Sequence, residues 1–269
     1  MNESYVLGRN KTVFETAEFP QITADEKIGI IFDGDIESTL LAIIAKKLYG
    51  ADRVVFINDQ AMGYDGKIYK KRKDLDRLNI INSTIQEAIK RLGGTQILNV
   101  ETEIYMANRN ATDALAKLLV KKYNNKLRFV LSGWNKIHEQ SISMLKSSGW
   151  TRGIITNGEL KPWLTKNAAH YPELHKYVFE QDGRIFGVNK NVAFEQYEAD
   201  FNLCVRPFRN LTTSDVIDLY DQLDAVTQLY QSSSCKTDLG NCGTCDNCHQ
   251  RKLAFKNSMV IDLTKYTLN

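Results

Sequence analysis

The stretch K-I-G-I-I-F-D-G-D-I-E-S-T-L-L, Lys27 to Leu41, decides the fold. Its first six residues form a short apolar run bounded by a turn signal, which predicts a buried strand over 27–32. Small, acidic and hydroxylic residues follow at 33–38, and apolar positions then recur with helical spacing over 38–48. A strand that feeds a helix through so short a turn is the opening of a βαβ unit, and such units build parallel sheets. The turn is also where chemistry is expected. A helix N-terminus presents unpaired amides and about half a positive charge, so it attracts anions, and Ser38 and Thr39 add hydroxyl donors for phosphate oxygens. The turn is not a Walker loop, because no Gly-Lys-Ser/Thr follows, and Gly34 alone does not make a dinucleotide fingerprint. From these residues alone, ordinary capping competes with anion binding: Asp35 and Glu37 complement the helix dipole without any ligand.

Working outward, residues 53–58 (R-V-V-F-I-N) read as a second strand. Residues 68–92 read as a long helix with Leu75, Leu78, Ile81, Ile85, Ala88 and Ile89 on one face. A third strand at 96–100, a helix at 111–123 and a fourth strand at 128–131 continue the alternation, and the fourth strand runs into Ser132-Gly133-Trp134-Asn135. The pattern predicts an α/β fold with a doubly wound parallel sheet, in which ligands sit beyond the carboxyl ends of the strands. The turns at 33–38 and 132–135 are the two such ends that stand out. The stretch 140–171, with Trp150, Trp163 and interspersed glycines, reads as a loop-rich cover, its tryptophans either docking anchors or core. Residues 191–205 are expected to add one or two strands, and Thr212-x-x-Asp215 resembles a capping box opening a helix to Leu223. The division expected is a main domain at 1–205 and a C-terminal lobe at 206–269. Lys67, Lys70, Lys71, Arg72 and Lys73 read as a solvated helix face, since acids follow at Asp74 and Asp76.

The C-terminal lobe carries the sharpest motif. Cys235, Cys242, Cys245 and Cys248 stand in the register C-x6-C-x2-C-x2-C, with Gly240, Asn241, Gly243, Asp246 and Asn247 as turn-forming fillers. Four thiolates so close predict a closed tetrahedral site for a structural zinc ion rather than two disulfides. Cys204, inside the apolar run 201–205, reads as a small buried hydrophobe. The chain has 269 residues, 43% of them hydrophobic, enough for a sizeable core. Its 35 Lys and Arg against 32 Asp and Glu leave a net charge of +3, too small to mark nucleic acid as the main partner. The longest purely apolar run is 40–45 and residues 1–14 carry no charged or apolar leader, so no membrane span is expected and the reducing cytoplasm is the expected location.

Together these features resemble the 7-cyano-7-deazaguanine (preQ0) synthases, zinc-containing members of the ATP-pyrophosphatase, or PP-loop, superfamily. The resemblance rests on the strand-turn-helix with its S-G-G-x-D-S-T-like turn, on Gly133 after the fourth strand, and on Arg206-Pro207-Phe208-x-x-Leu211-Thr212-x-x-Asp215-Val216-Ile217. Ser234-Cys235, the cysteine cluster and Arg251-Lys252-x-Ala254-Phe255 complete it. The resemblance implies that ATP, with magnesium, adenylates a 7-deazaguanine carboxylate. Ammonia then displaces AMP to give an amide, and a second round gives the nitrile. The ATP-binding residues it implies are Asp33, Gly34, Asp35, Glu37, Ser38, Thr39 and Gly133, while it assigns no catalytic residue. Implied partners are ATP and a deazapurine-type carboxylate, with an amine on a protein or nucleic acid as an alternative acceptor, and the expected assembly is a homodimer. A third reading is a binding module with a degenerate turn. Three departures bear on the choice. Asp33 stands where the family has serine and Asp35 where it has the second glycine, so pyrophosphate is repelled unless a divalent cation intervenes. Residues 58–62 replace the family's sequence after the second strand, and Thr213 lies near a position where the family often has lysine.

Overall fold

The computed structural model describes residues 3–9, 11–59, 83–100, 127–133, 135, 180–181, 184–185, 204–233, 235 and 241–267. Two strands, β1 (Ser4–Leu7) and β2 (Thr12–Glu15), form an antiparallel hairpin. The central sheet consists of β3 (Lys27–Ile31), β4 (Val54–Asp59), β5 (Gln96–Val100), β6 (Leu127–Leu131) and β9 (Cys204–Val205). All its pairings are parallel, in the order β5-β4-β3-β6-β9. A two-residue pair, β7 (Glu180–Gln181) with β8 (Arg184–Ile185), lies apart from it. The α/β class and parallel sheet expected from the alternation are therefore present. The expected helix 111–123, the cover 140–171, the basic cluster 67–73 and most of 191–205 lie outside the described residues, and 83–91 is the described part of the helix expected at 68–92.

Strand order creates the site. From β3 the chain steps outward to β4 and β5, then returns to place β6 on the other side of β3. The carboxyl ends of the neighbouring strands β3 and β6 are therefore the switch point of an open α/β sheet, the place where such sheets bind ligands. Helix α1 (Ile36–Tyr49) follows β3, and Gly50 at φ 87° ends it. Ile36, Leu40, Leu41, Ala42, Ile44 and Ala45 are all buried, more than one stripe can hold, because α1 lies between the sheet and the C-terminal helices. Lys46 at its far end donates to the Leu92 carbonyl and so ties α1 to the 83–91 helix.

Helix α2 (Thr213–Gln222) begins with the expected capping box: Thr212 Oγ1 accepts from the Asp215 amide while Asp215 accepts from the Thr212 amide. Helix α3 (Val226–Gln231) and helix α4 (Asp246–Asn257) follow. Phe208, Leu211, Val216, Ile217, Leu219, Tyr220 and Phe255 share one core with Leu7, Phe14, Ile28, Ile30 and the α1 residues. Residues on both sides of the 205/206 division thus pack together. The hairpin was missed from sequence, because its strands are only four residues long and its turn bends at Gly8 (φ 60°) and Lys11 (φ 52°). Its Phe14 ring lies 5.7 Å from Phe208, which docks the hairpin on the start of the C-terminal segment.

Candidate functional site

The turn from Asp33 to Ser38 closes on its own carboxylates. Gly34 takes φ 79°, where a side chain would be strained, and among the described residues a Cβ there would meet nothing within 4 Å beyond its chain neighbours. Asp35 is the N-cap of α1: its Oδ1 accepts from the Ser38 amide at 2.7 Å, and its carbonyl accepts from the Thr39 amide at 3.1 Å. Asp33 Oδ1 accepts from the Ser38 hydroxyl at 2.8 Å and from the Asp35 amide at 3.2 Å. The donors suited to a phosphate, namely the Ser38 hydroxyl and the Ser38 and Asp35 amides, therefore already hold carboxylate oxygens. Burial first, then the Asp33 and Glu37 charges, push the Asp35 carboxyl well above the usual carboxylate range. Thr39 is buried beside the Tyr220 hydroxyl, which donates to the Ile36 carbonyl at 2.7 Å.

Glu37 turns away from this group. Its Oε1 accepts from Asn135 Nδ2 and from the Thr213 hydroxyl, both at 2.7 Å, and Asn135 also donates to Thr213 Oγ1 at 2.9 Å. One carboxylate thus joins α1, the exit of β6 and the start of α2. Gly133 makes that junction feasible. A Cβ on it would sit 2.9 Å from Glu37 Cβ and 3.1 Å from the Ser38 amide nitrogen, so the β6 exit and the first turn of α1 touch backbone to backbone. The structure therefore brings all seven sequence-predicted turn residues, Asp33, Gly34, Asp35, Glu37, Ser38, Thr39 and Gly133, to one end of the sheet. Asn135 belongs to the turn at 132–135 that the sequence pointed to, without a role assigned there, and Ser233 is an addition that the spacing of motifs did not single out. The Ser233 amide donates to the Gly34 carbonyl at 2.9 Å and so braces the turn from the C-terminal side.

The second centre is the cysteine cluster. The sulfurs of Cys235, Cys242, Cys245 and Cys248 lie within 4.8 Å of one another. Cys242–Cys248 and Cys235–Cys245 are each separated by 3.8 Å, far longer than a disulfide bond of about 2.0 Å. Four thiolates at about 2.3 Å from one ion stand about 3.8 Å apart, so the set fits a closed tetrahedral metal site. Gly243 at φ 85° shapes the loop, and the Cys245 amide points at Cys242 Sγ at 3.4 Å. Cys245 is the N-cap of α4 and Cys248 lies in its first turn, where the helix dipole favours thiolate. Burial pushes the Cys248 thiol up to about 12, a cost that a coordinated cation reverses. Cys204 is buried, 6% exposed, in β9, as expected of a small hydrophobe.

Arg251 links the two centres. It is 1% exposed, one turn beyond Cys248 on α4, and donates to Ser232 Oγ at 3.0 Å, the Leu229 carbonyl at 2.9 Å and Thr264 Oγ1 at 3.2 Å. Those bonds order the end of α3, and the next residue, Ser233, is the one that braces Gly34. Nothing in the residue types alone marks Arg251 for this role, because these partners are backbone and hydroxyl groups from two separate segments, the end of α3 and Thr264.

Residues 165–259, about a third of the chain, match the family model described as queuosine biosynthesis protein QueC. The match takes in β9, the capping box, all four cysteines and α4, and it supports the PP-loop superfamily. The Asp33–Thr39 turn lies outside it. No curated protein matches the chain. Among solved structures, the U34-tRNA thiolase NcsA from Methanococcus maripaludis, with its 4Fe–4S cluster, is similar over 94% of this chain and 71% of that one. The identity there is 11% and the TM-score 0.33. No helix among the described residues is long and apolar enough to cross a membrane.

Proposed function

We propose that this chain is an ATP-using enzyme of the PP-loop type that adenylates a 7-deazaguanine-type carboxylate. The observation that carries the reading is the QueC match over 165–259 falling on four cysteines whose sulfurs converge to tetrahedral separations. In this reading ATP lies beyond the carboxyl ends of β3 and β6, against Asp33, Gly34, Asp35, Glu37, Ser38, Thr39 and Gly133, with magnesium offsetting the acids of the turn. The carboxylate attacks the α-phosphorus and pyrophosphate leaves; ammonia then opens the mixed anhydride to an amide, and AMP leaves. A second round dehydrates the amide to the nitrile. The four thiolates hold one zinc ion as a structural clamp. A 4Fe–4S cluster places each cysteine on a different iron and spreads the sulfurs further than ligands that share one ion, so the close set favours a single ion. We assign residues 1–205 to the nucleotide domain and 206–269 to the zinc lobe as functional units of one shared core, at work in the cytoplasm as a homodimer.

The test is incubation with ATP, magnesium, 7-carboxy-7-deazaguanine and ammonia. Pyrophosphate and AMP should appear in equal amounts, with an amide or nitrile product by mass spectrometry. Adding candidate proteins or nucleic acids to the same mixture reads the alternative acceptor, as a mass gain on the macromolecule. Absence of pyrophosphate above background from fully folded, metal-loaded protein refutes the reading. It would favour a non-catalytic module, the reading that the occupied donors of the Asp33–Ser38 turn support.

A further inference from the structure

The three acids of the turn have three different roles. Glu37 is committed to Asn135 and Thr213, on the side where α2 begins. Asp35 is committed to the helix as its N-cap. Asp33 has neither commitment. It is exposed and sits before the helix, yet one of its oxygens bonds both the Ser38 hydroxyl and the Asp35 amide. A single carboxylate oxygen that gathers a hydroxyl and an amide at a helix N-terminus has the charge and bonding of a phosphate oxygen at the same place. The backbone behind it is held, since the Gly34 carbonyl is bonded by the Ser233 amide. Beside it, apart from its chain neighbours, no atom of the described residues lies within 4 Å of where a Gly34 Cβ would stand.

We propose that the Asp33 carboxylate is an internal plug: it occupies the anion position of this turn, and a phosphate ligand enters only by exchange with it. The inference rests on the nucleotide reading of the turn. Exchange requires no backbone movement. Rotation of the exposed Asp33 side chain releases the Ser38 hydroxyl and the Asp35 amide, while the Asp35 cap and the Ser233 brace stay in place. A divalent cation assists, because it gives the displaced carboxylate a partner and screens it from the incoming charge. The plug thus makes the turn discriminate against bare pyrophosphate and favour a metal-complexed polyphosphate.

The experiment is calorimetric titration of the metal-loaded full chain with magnesium-free pyrophosphate, comparing wild type, Asp33→Ser and Asp33→Asn. Asp33→Ser removes the plug, whereas Asp33→Asn removes the same charge and keeps an oxygen acceptor for the Ser38 hydroxyl and the Asp35 amide. Melting curves check that each variant folds. Asp33→Ser should bind pyrophosphate at least tenfold more tightly than wild type, and Asp33→Asn should change the affinity less than threefold. Equal gains in the two variants would mean simple charge repulsion and would overturn the plug, as would no gain in Asp33→Ser while wild type still releases pyrophosphate from ATP. A tenfold gain in Asp33→Ser with no turnover by wild type would uphold the plug and refute the enzyme reading. Folded proteins that all fail to bind pyrophosphate would refute both.

Discussion

The turn after β3 and the cysteine lobe pose opposite problems in satisfying their polar groups. At the turn, donors of the helix N-terminus are matched by acceptors from the neighbouring sequence, so Asp33, Asp35, Ser38 and Thr39 form a closed local set. In the lobe, four thiols from a 14-residue segment converge on each other, and sulfurs are poor hydrogen-bond partners. The first arrangement is stable by itself and must be opened to accept a ligand. The second is complete only around a cation, since burial alone disfavours the thiolates.

The sharpest way to break the comparison is to remove a thiol. Cys245→Ser should abolish stoichiometric metal binding and cost on the order of 4 kcal/mol or more of stability, because metal binding and folding of such lobes are linked. Elemental analysis and thermal melts check both, and a variant that is metal-free yet melts with wild type would show that the cluster is not a structural centre. A smaller effect is expected at the junction between the β6 exit and α1. Gly133→Ala puts a methyl 2.9 Å from Glu37 Cβ and close to main-chain atoms that have little room to move, so it should cost about 1–3 kcal/mol. Chemical denaturation reads that loss; an unchanged midpoint would mean the turn is looser than its contacts imply.

The smallest effect has the opposite sign. Asp35 has its carboxyl raised in the folded state, so its proton is held more tightly there than in the unfolded chain. The stability it contributes is fully present below the ordinary value near 3.8 and is lost as pH rises through the folded value. Asp35→Asn keeps an acceptor for the Ser38 amide and removes the charge. It should therefore stabilise the protein at pH 8 by about 1 kcal/mol, a rise of about 2–4 °C, with the gain fading as pH approaches 4. Melting temperatures across that range decide it, and destabilisation at pH 8 would mean that the cap requires a charged acceptor.

How much could be read in advance differs between the same two regions. The cysteine register is local, and four ligands within 14 residues leave few geometries, so the cluster was legible in full. Strands β3, β4, β5 and β6 were legible to within a residue, because buried parallel strands are short apolar runs between turn signals. The hairpin was not, since four-residue strands fall below what alternation can reveal. At the turn, sequence identified the residues but left open whether the acids face outward or inward. That depended on Ser38 and on the Glu37 partners Asn135 and Thr213, which lie 98 and 176 residues from Glu37 along the chain.

What the amino-acid sequence determined by itself were properties set by near neighbours: the alternation that builds a parallel sheet, the capping box at Thr212 and Asp215, and the metal-type cysteine register. Only the tertiary structure decided which carboxylate fills the turn, which one ties α1 to α2, and how Arg251 carries the order of the cysteine helix to Ser233 and Gly34. The physical reason is range. Helix caps and ligand knuckles close over a few residues, so composition and spacing suffice to predict them. A charged group at a switch point chooses among partners that arrive from distant strands and helices, and its choice exists only once those elements have packed.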